Sequence, residues 1–331
     1  MAISSVGATA RNYVDLAASL AALPATLTEQ EVAELYNDAE FTSASQITIS
    51  GITTTPTFNL VIRAATGEGF NDTEQALRYN QANGVAVRKT SSYGAIISNA
   101  VNYTLIEDIQ FSTTSTNNTI GFISSAIDYI NDCIIDSSSN VRVVSSSTGS
   151  STFLNSIIIA NENSSTGTEG LLSSYVATSL FNCTLISLFP GSTAFGVEKQ
   201  GGAANSSVVK NTAIFGFGTA IETGTWGAGT DYNGTDDATL PAGSNNQTSL
   251  TLANQFENVA SAATLDLRLK AGNSLDSNGT PDSVNTNDLD IFGNARSLTA
   301  PSIGAYETVS GGGGFQAAWA MNANKLLNWY N

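Results

Sequence analysis

A chain of 331 residues with 41% hydrophobic and only 12% charged residues is long enough for one large body, and it presents a surface of Ser, Thr, Asn and Gly. Its net charge of −16 leaves no basic stripe to neutralise phosphates or anionic lipid, which argues against nucleic acid and membranes as partners. With no histidine, Ser-His-Asp and Cys-His chemistry and most zinc sites are excluded.

The first residues, Met1-Ala2-Ile3-Ser4-Ser5, lack a basic segment followed by an apolar run, so no signal peptide is read there. No stretch reaches about 18 consecutive apolar residues, so no membrane-spanning helix is expected. Tyr13, Leu16, Ala17, Leu20 and Leu23 recur at helical spacing until Pro24 stops the run. Thr28 and Glu31 have the spacing of a capping box, which points to a second short helix, although Leu35-Tyr36 also reads as the start of a strand. Residues 1–45 are therefore assigned to a helical N-terminal cap.

From residue 46 the pattern changes to short strand-like bursts: Ile47 and Ile49, Leu60-Val61-Ile62, Val85 and Val87, with a turn at 80–84. Between 105 and 215 one pattern returns five times, an apolar burst around a polar residue at Asp108, Asn131, Asn155, Asn182 and Asn211. The spacings are 23, 24, 27 and 29 residues. A repeat of this length, rich in β-branched residues and separated by Ser, Thr, Gly and Asn, is the signature of a solenoid whose turns share one core. The recurring polar position predicts a ladder in which each amide bonds to the ones above and below. Cys133 and Cys183 fall two rungs apart, roughly 9–10 Å at the usual strand spacing, beyond disulfide reach, and are read as buried small hydrophobes. The solenoid body is assigned to 46–225.

After residue 216 the period dissolves. Residues 226–308 read as irregular final rungs and a C-terminal cap, containing a polar loop at 226–237 and an Asp/Asn/Gly-rich stretch at 272–296. Gly311 to Gly314 form a hinge. Residues 309–331 hold two of the three tryptophans, and Phe315, Trp319, Leu326, Leu327, Trp329 and Tyr330 are assigned as a tethered docking tail.

The acidic residues are the candidates for chemistry. Asp231 with Asp236 or Asp237, and Glu198 with Glu222, are the candidate carboxylate pairs for glycoside hydrolysis, and Trp226 is the candidate sugar-stacking ring. Asp282, Asp288 and Asp290 carry oxygens suited to calcium, but their spacing is not that of an EF-hand, and Asx turns explain them equally well. No catalytic residue, metal ligand or cofactor is assigned, and the chain is expected not to be an enzyme.

The Asn-centred rungs resemble the right-handed parallel β-helix superfamily of pectate lyases and phage tailspikes. Residues 267–274, 290–296 and 303–307 resemble the closing segment of many bacterial and environmental β-helix proteins, and residues 36–41 and 78–85 resemble opening segments of uncharacterised β-helix proteins in phage and environmental genomes. The Gly tether with residues 315–320 resembles the C-termini of phage structural proteins. The sequence lacks the arginine- and aspartate-bearing catalytic motif of the lyases, so no active site is carried over. The resemblance implies an all-β, right-handed parallel β-helix with a short helical cap and a tethered tail. It also implies a virion structural protein of a tailed phage, either head decoration or fibre component, acting as a rigid non-catalytic scaffold. Its partners would be the major capsid protein or tail proteins, and by analogy it would be a homotrimer. The alternative is a tailspike-like carbohydrate-binding or depolymerase protein with a host glycan as ligand.

Overall fold

The structure is a computed structural model. It describes residues 1–70, 77–91, 95–113, 122–124, 128–137, 144–146, 149–160, 172–174, 177–189, 194–199, 206–281 and 289–308.

The described strands stack into three parallel sheets of eight, seven and eight strands. The chain is an all-β right-handed parallel β-helix. One rung shows the plan. Phe122–Ser124 lies in the second sheet, Asp128–Asn131 in the first and Ile134–Ser137 in the third, and each pairs in parallel with the rungs before and after it. Side chains alternate across each strand, so one residue in two points into the column. Ala33, Ile62, Ile106, Ile130, Phe153, Leu180 and Val209 of the first sheet meet Val87, Phe111, Ile135, Ile158, Leu185 and Ile214 of the third in a single core.

The stack begins earlier than the sequence reading placed it. Ala2–Val6 and Glu31–Leu35 are already the first two strands of the first sheet. Thr28-to-Glu31 therefore caps no helix. Val32, Ala33 and Leu35 are buried between Ala2–Val6 and Leu60–Ala64, and pairing on both sides outweighs the local capping signal. The predicted first helix forms as Leu16–Ala21, with Asp15 as N-cap accepting from the Ala18 N–H at 2.7 Å. Its Leu16 and Leu20 plug the open end of the core.

In its later strands the third sheet carries apolar residues on both faces. Its outward Ile134, Ile157, Ile159, Ile186, Ala213 and Phe215 belong to a second core, closed by Phe256, Leu265, Leu267, Leu275, Ile291 and Ile303 from the segment after residue 250. Phe215 and Phe256 meet edge-to-face at 5.8 Å. Phe70 and Leu77 join the same core from the segment that follows Leu60–Ala64. This double burial explains the near-continuous isoleucine runs of these strands.

Candidate functional site

The first and third sheets meet at a two-residue corner. Asp108, Asp132, Asn155, Asn182 and Asn211 stand there one above another, with φ of 58°, 49°, 44°, 53° and 51°. Asn and Asp tolerate this left-handed conformation better than other non-glycine residues, which is why the position is always one or the other. The column corrects one predicted member. Asn131 pairs with Glu107 and Leu154 inside the strand, so the corner residue of that rung is Asp132. Asn131 instead donates to Asp132 at 2.7 Å.

Asn155 and Asn211 turn to the closing segment rather than to each other. Asn155 donates to the Leu289 carbonyl at 2.8 Å and accepts from Arg296 at 3.1 Å. Asn211 donates to the Thr280 carbonyl at 2.7 Å and accepts from the Thr280 N–H at 3.0 Å. Their partners come from the closing segment, so the stripe fastens that segment to the column. The residue after each of these five corners is buried: Ile109, Cys133, Ser156, Cys183 and Thr212. Both cysteines are free and buried, and Ser156 stands between them. Burial pushes both thiols up, Cys183 to about 12, so neither is a nucleophile.

Arg296 is the group that sequence reasoning missed. It is buried, and its guanidinium donates to the carbonyls of Leu289, Ser302, Gly304 and Ala305, to Asn155 Oδ1, and to Glu307 Oε2 at 3.5 Å. Glu307 also accepts from the Ser302 and Ser297 N–H groups. Asp290 accepts from the N–H groups of Phe292, Asn294 and Glu307 and from the Asn294 amide. Burial draws the Arg296 pKa down, while Asp290 and Glu307 hold it up. Gly304 closes the clamp with φ of 108°, and a Cβ there would stand 2.9 Å from Thr184 Oγ1.

Of the candidate carboxylates, Asp231, Asp236, Asp237 and Glu222 are committed to backbone N–H groups. Asp231 accepts from the N–H groups of Tyr232 and Asn245 and from the Asn245 amide. Asp236 accepts from Gly216 N–H, Asp237 from Ala220 N–H and Glu222 from Lys199 N–H. Trp226 is only 7% exposed, donates to the Glu222 carbonyl, lies under Lys199 and belongs to the first core. It plugs the far end of the column and offers no face to a sugar. Asp290 is spent on the clamp, and Asp282 and Asp288 lie outside the described residues. So do the docking residues Phe315, Trp319, Leu326, Leu327, Trp329 and Tyr330. Among the described residues no group of three or more His, Cys, Asp or Glu side chains stands in metal-binding geometry.

An open concavity lies at the N-terminal end. A cavity of about 280 Å³ is bounded by the capping helix and the first strand of the third sheet, with Val14, Leu16, Phe41 and Ile47 as its apolar lining and Asp15 and Glu40 as its carboxylates. Glu40 is fixed from the side by Arg88 at 2.9 Å and by the Tyr79 hydroxyl. Burial and this bond to Glu40 push the Tyr79 phenol far up, so it stays protonated as a donor. The sequence signal available was the placement of Phe41 and Ile47 after an unpaired helix. It could not show that a gap remained between them.

No protein-family model matches this chain, and no curated protein is similar to it in sequence. Similar solved structures include a pectin methylesterase from Aspergillus niger in penultimately deglycosylated and in deglycosylated form, each 12% identical, covering 75% of this chain and 85% of that one, with TM-scores of 0.42 and 0.44. A pectate lyase is 13% identical over 93% of this chain and 97% of that one, with a TM-score of 0.40. The chain shares a parallel β-helix fold with these carbohydrate-active enzymes. The expectation that it is not an enzyme is corrected by these neighbours, since both kinds are enzymes. At this identity they show the fold alone, and the fold by itself does not make the chain a catalyst.

Proposed function

We propose that this chain is a structural component of an assembled particle, a virion protein serving in head decoration or in a fibre. The observation that carries the proposal is the closure of the column. The capping helix plugs one end, Trp226 plugs the other, and the segment after residue 250 seals the outer face of the third sheet through the corner amides. Eight stacked strands make a body about 34 Å long at about 4.8 Å per step. Every interior step is bonded on both sides, which gives stiffness along the axis. The resemblance of the opening segments to β-helix proteins of phage and environmental genomes, and of the Gly tether with residues 315–320 to the C-termini of phage structural proteins, supports a place in the particle beside capsid or tail proteins.

Quantitative mass spectrometry of purified particles tests the proposal. Many copies per particle is the result expected of decoration and a few copies that of a fibre, whereas absence from the particle overturns both. Release of reducing ends from host polysaccharide by the purified chain would favour the carbohydrate-directed reading instead.

A further inference from the structure

We infer that Ser91 and Lys89 form a nucleophile–base pair that hydrolyses uncharged carboxylic esters. The inference goes beyond the structural role above and does not depend on it.

Lys89 ends the strand Ala86–Lys89 of the third sheet. Val87, two residues earlier, belongs to the core, so the alternation of the strand turns Lys89 inward as well, and only 1% of it is exposed. Lysine is rarely buried this far. Ser43 and Thr113 stand on either side of it in the strand register. Its Nζ lies 2.5 Å from the Ser91 hydroxyl oxygen. Ser91, in the bend that follows the strand, is partly exposed, so the pair runs from the surface to a buried amine.

A serine hydroxyl is a weak nucleophile until an adjacent base takes its proton, and a desolvated lysine is a base still open to a chain without histidine. An amine accepts a proton only when it is neutral. Burial draws the Lys89 pKa down from the ordinary lysine range, which is the direction this task needs. In the reaction, Ser91 Oγ attacks the ester carbonyl carbon and passes its proton to Lys89 Nζ. The tetrahedral adduct collapses, the C–O bond to the alcohol breaks, and the leaving alkoxide takes that proton from Lys89. Water then attacks the acyl-serine and gives a proton to Lys89, which returns it to Ser91 Oγ as the carboxylic acid leaves.

The substrate class follows from the surroundings. Ser43, one strand step of about 4.8 Å from Lys89, is also a wall of the N-terminal cavity, where Phe41 and Ile47 supply apolar surface. The cavity volume of about 280 Å³ is at the small end for a ligand pocket, which suits a short acyl group. A net charge of −16 disfavours an anionic substrate, so the ester is an uncharged one.

Two probes on the full chain test this: a fluorophosphonate, whose fluoride an activated serine displaces, and p-nitrophenyl acetate. Peptide mass spectrometry is expected to find one phosphonyl group, on Ser91. Hydrolysis of the acetate ester is expected to fall at least about a hundredfold in Ser91→Ala and in Lys89→Met. Lys89→Arg keeps the charge and the packing but cannot give up its proton, so it should be as inactive as Lys89→Met, whereas a merely structural lysine would be rescued by arginine. A wild-type chain without an adduct on Ser91 overturns the inference whatever the variants do. Hydrolysis that survives Ser91→Ala overturns it too, and so does a Lys89→Arg variant that labels like the wild type. Copy number in purified particles is independent of these readouts, so an abundant particle protein with an inert Ser91 would defeat this activity and leave the structural role standing.

Discussion

At Asn155 two demands meet in one side chain. The backbone needs a residue that tolerates a φ of 44°, and the closing segment needs both an acceptor for Arg296 and a donor for the Leu289 carbonyl. Asn155→Ala therefore loses backbone tolerance and two hydrogen bonds, and a drop of about 2–3 kcal/mol in urea unfolding is expected. Asn131→Ala, one residue off the corner, should cost less than about 1 kcal/mol, and equal losses would mean that the register is wrong. Arg296→Met leaves two buried carboxylates without their cation, so about 3–5 kcal/mol is expected to go, read by the same unfolding curve. The asparagines were legible because a left-handed corner repeated at rung spacing leaves a periodic mark. Asn131 was mistaken for Asp132 because both are polar and adjacent, and a slip of one residue is the error that a period-two element invites. Arg296 was not legible at all: its partner Asn155 is 141 residues away, and nothing local distinguishes a buried arginine from a solvated one.

Short elements here obey their neighbours more than their own sequence. The helix Leu16–Ala21 was readable from its apolar spacing, yet its working cap is Asp15, and Asp15→Ala should lower stability by about 1 kcal/mol, with the loss seen in thermal melts. The stretch 28–31 carried a good capping signal and still became the lead into a strand, because two parallel partners were waiting for Glu31–Leu35. The turn at 234–237 has its own signature in pH. Burial raises the Asp236 carboxyl above its usual range, against the pull of the Gly216 N–H that it accepts. Between the usual and the raised value the folded state holds more protons than the unfolded one, so this group stabilises the fold as pH falls and loses that contribution as pH rises. The melting temperature is expected to rise as pH falls through the raised value toward the ordinary carboxylate range, and Asp236→Asn should flatten that rise. An unchanged slope in the variant would remove Asp236 from the explanation. Asp38 works in the opposite sense. Arg11 draws its carboxyl down, so its contribution fades only in stronger acid.

On the scale of the molecule, one strand face decides the architecture. A solenoid whose third sheet carries outward apolar residues in its later strands needs a second layer there, and the segment after residue 250 supplies it with Phe256, Leu267, Leu275 and Ile303. The sequence carried the solenoid plainly, since a period of 23 to 29 residues has few other physical meanings. It carried the second layer poorly, because a cover that crosses rungs has no period of its own. It carried the candidate site least of all. The cavity beside Val14 is a property of the gap between a helix and a strand, while the carboxylates that seemed catalytic turned out to hold backbone N–H groups. Sealing at both ends and along one side leaves the column with a closed core on every side the described residues cover.

An experimental density map of the full chain is the most direct test. The account predicts three parallel sheets, with Asp108, Asp132, Asn155, Asn182 and Asn211 in one corner column and Arg296 buried against Asn155. Antiparallel sheets packed face to face, or an Arg296 side chain standing in solvent away from that column, would contradict it.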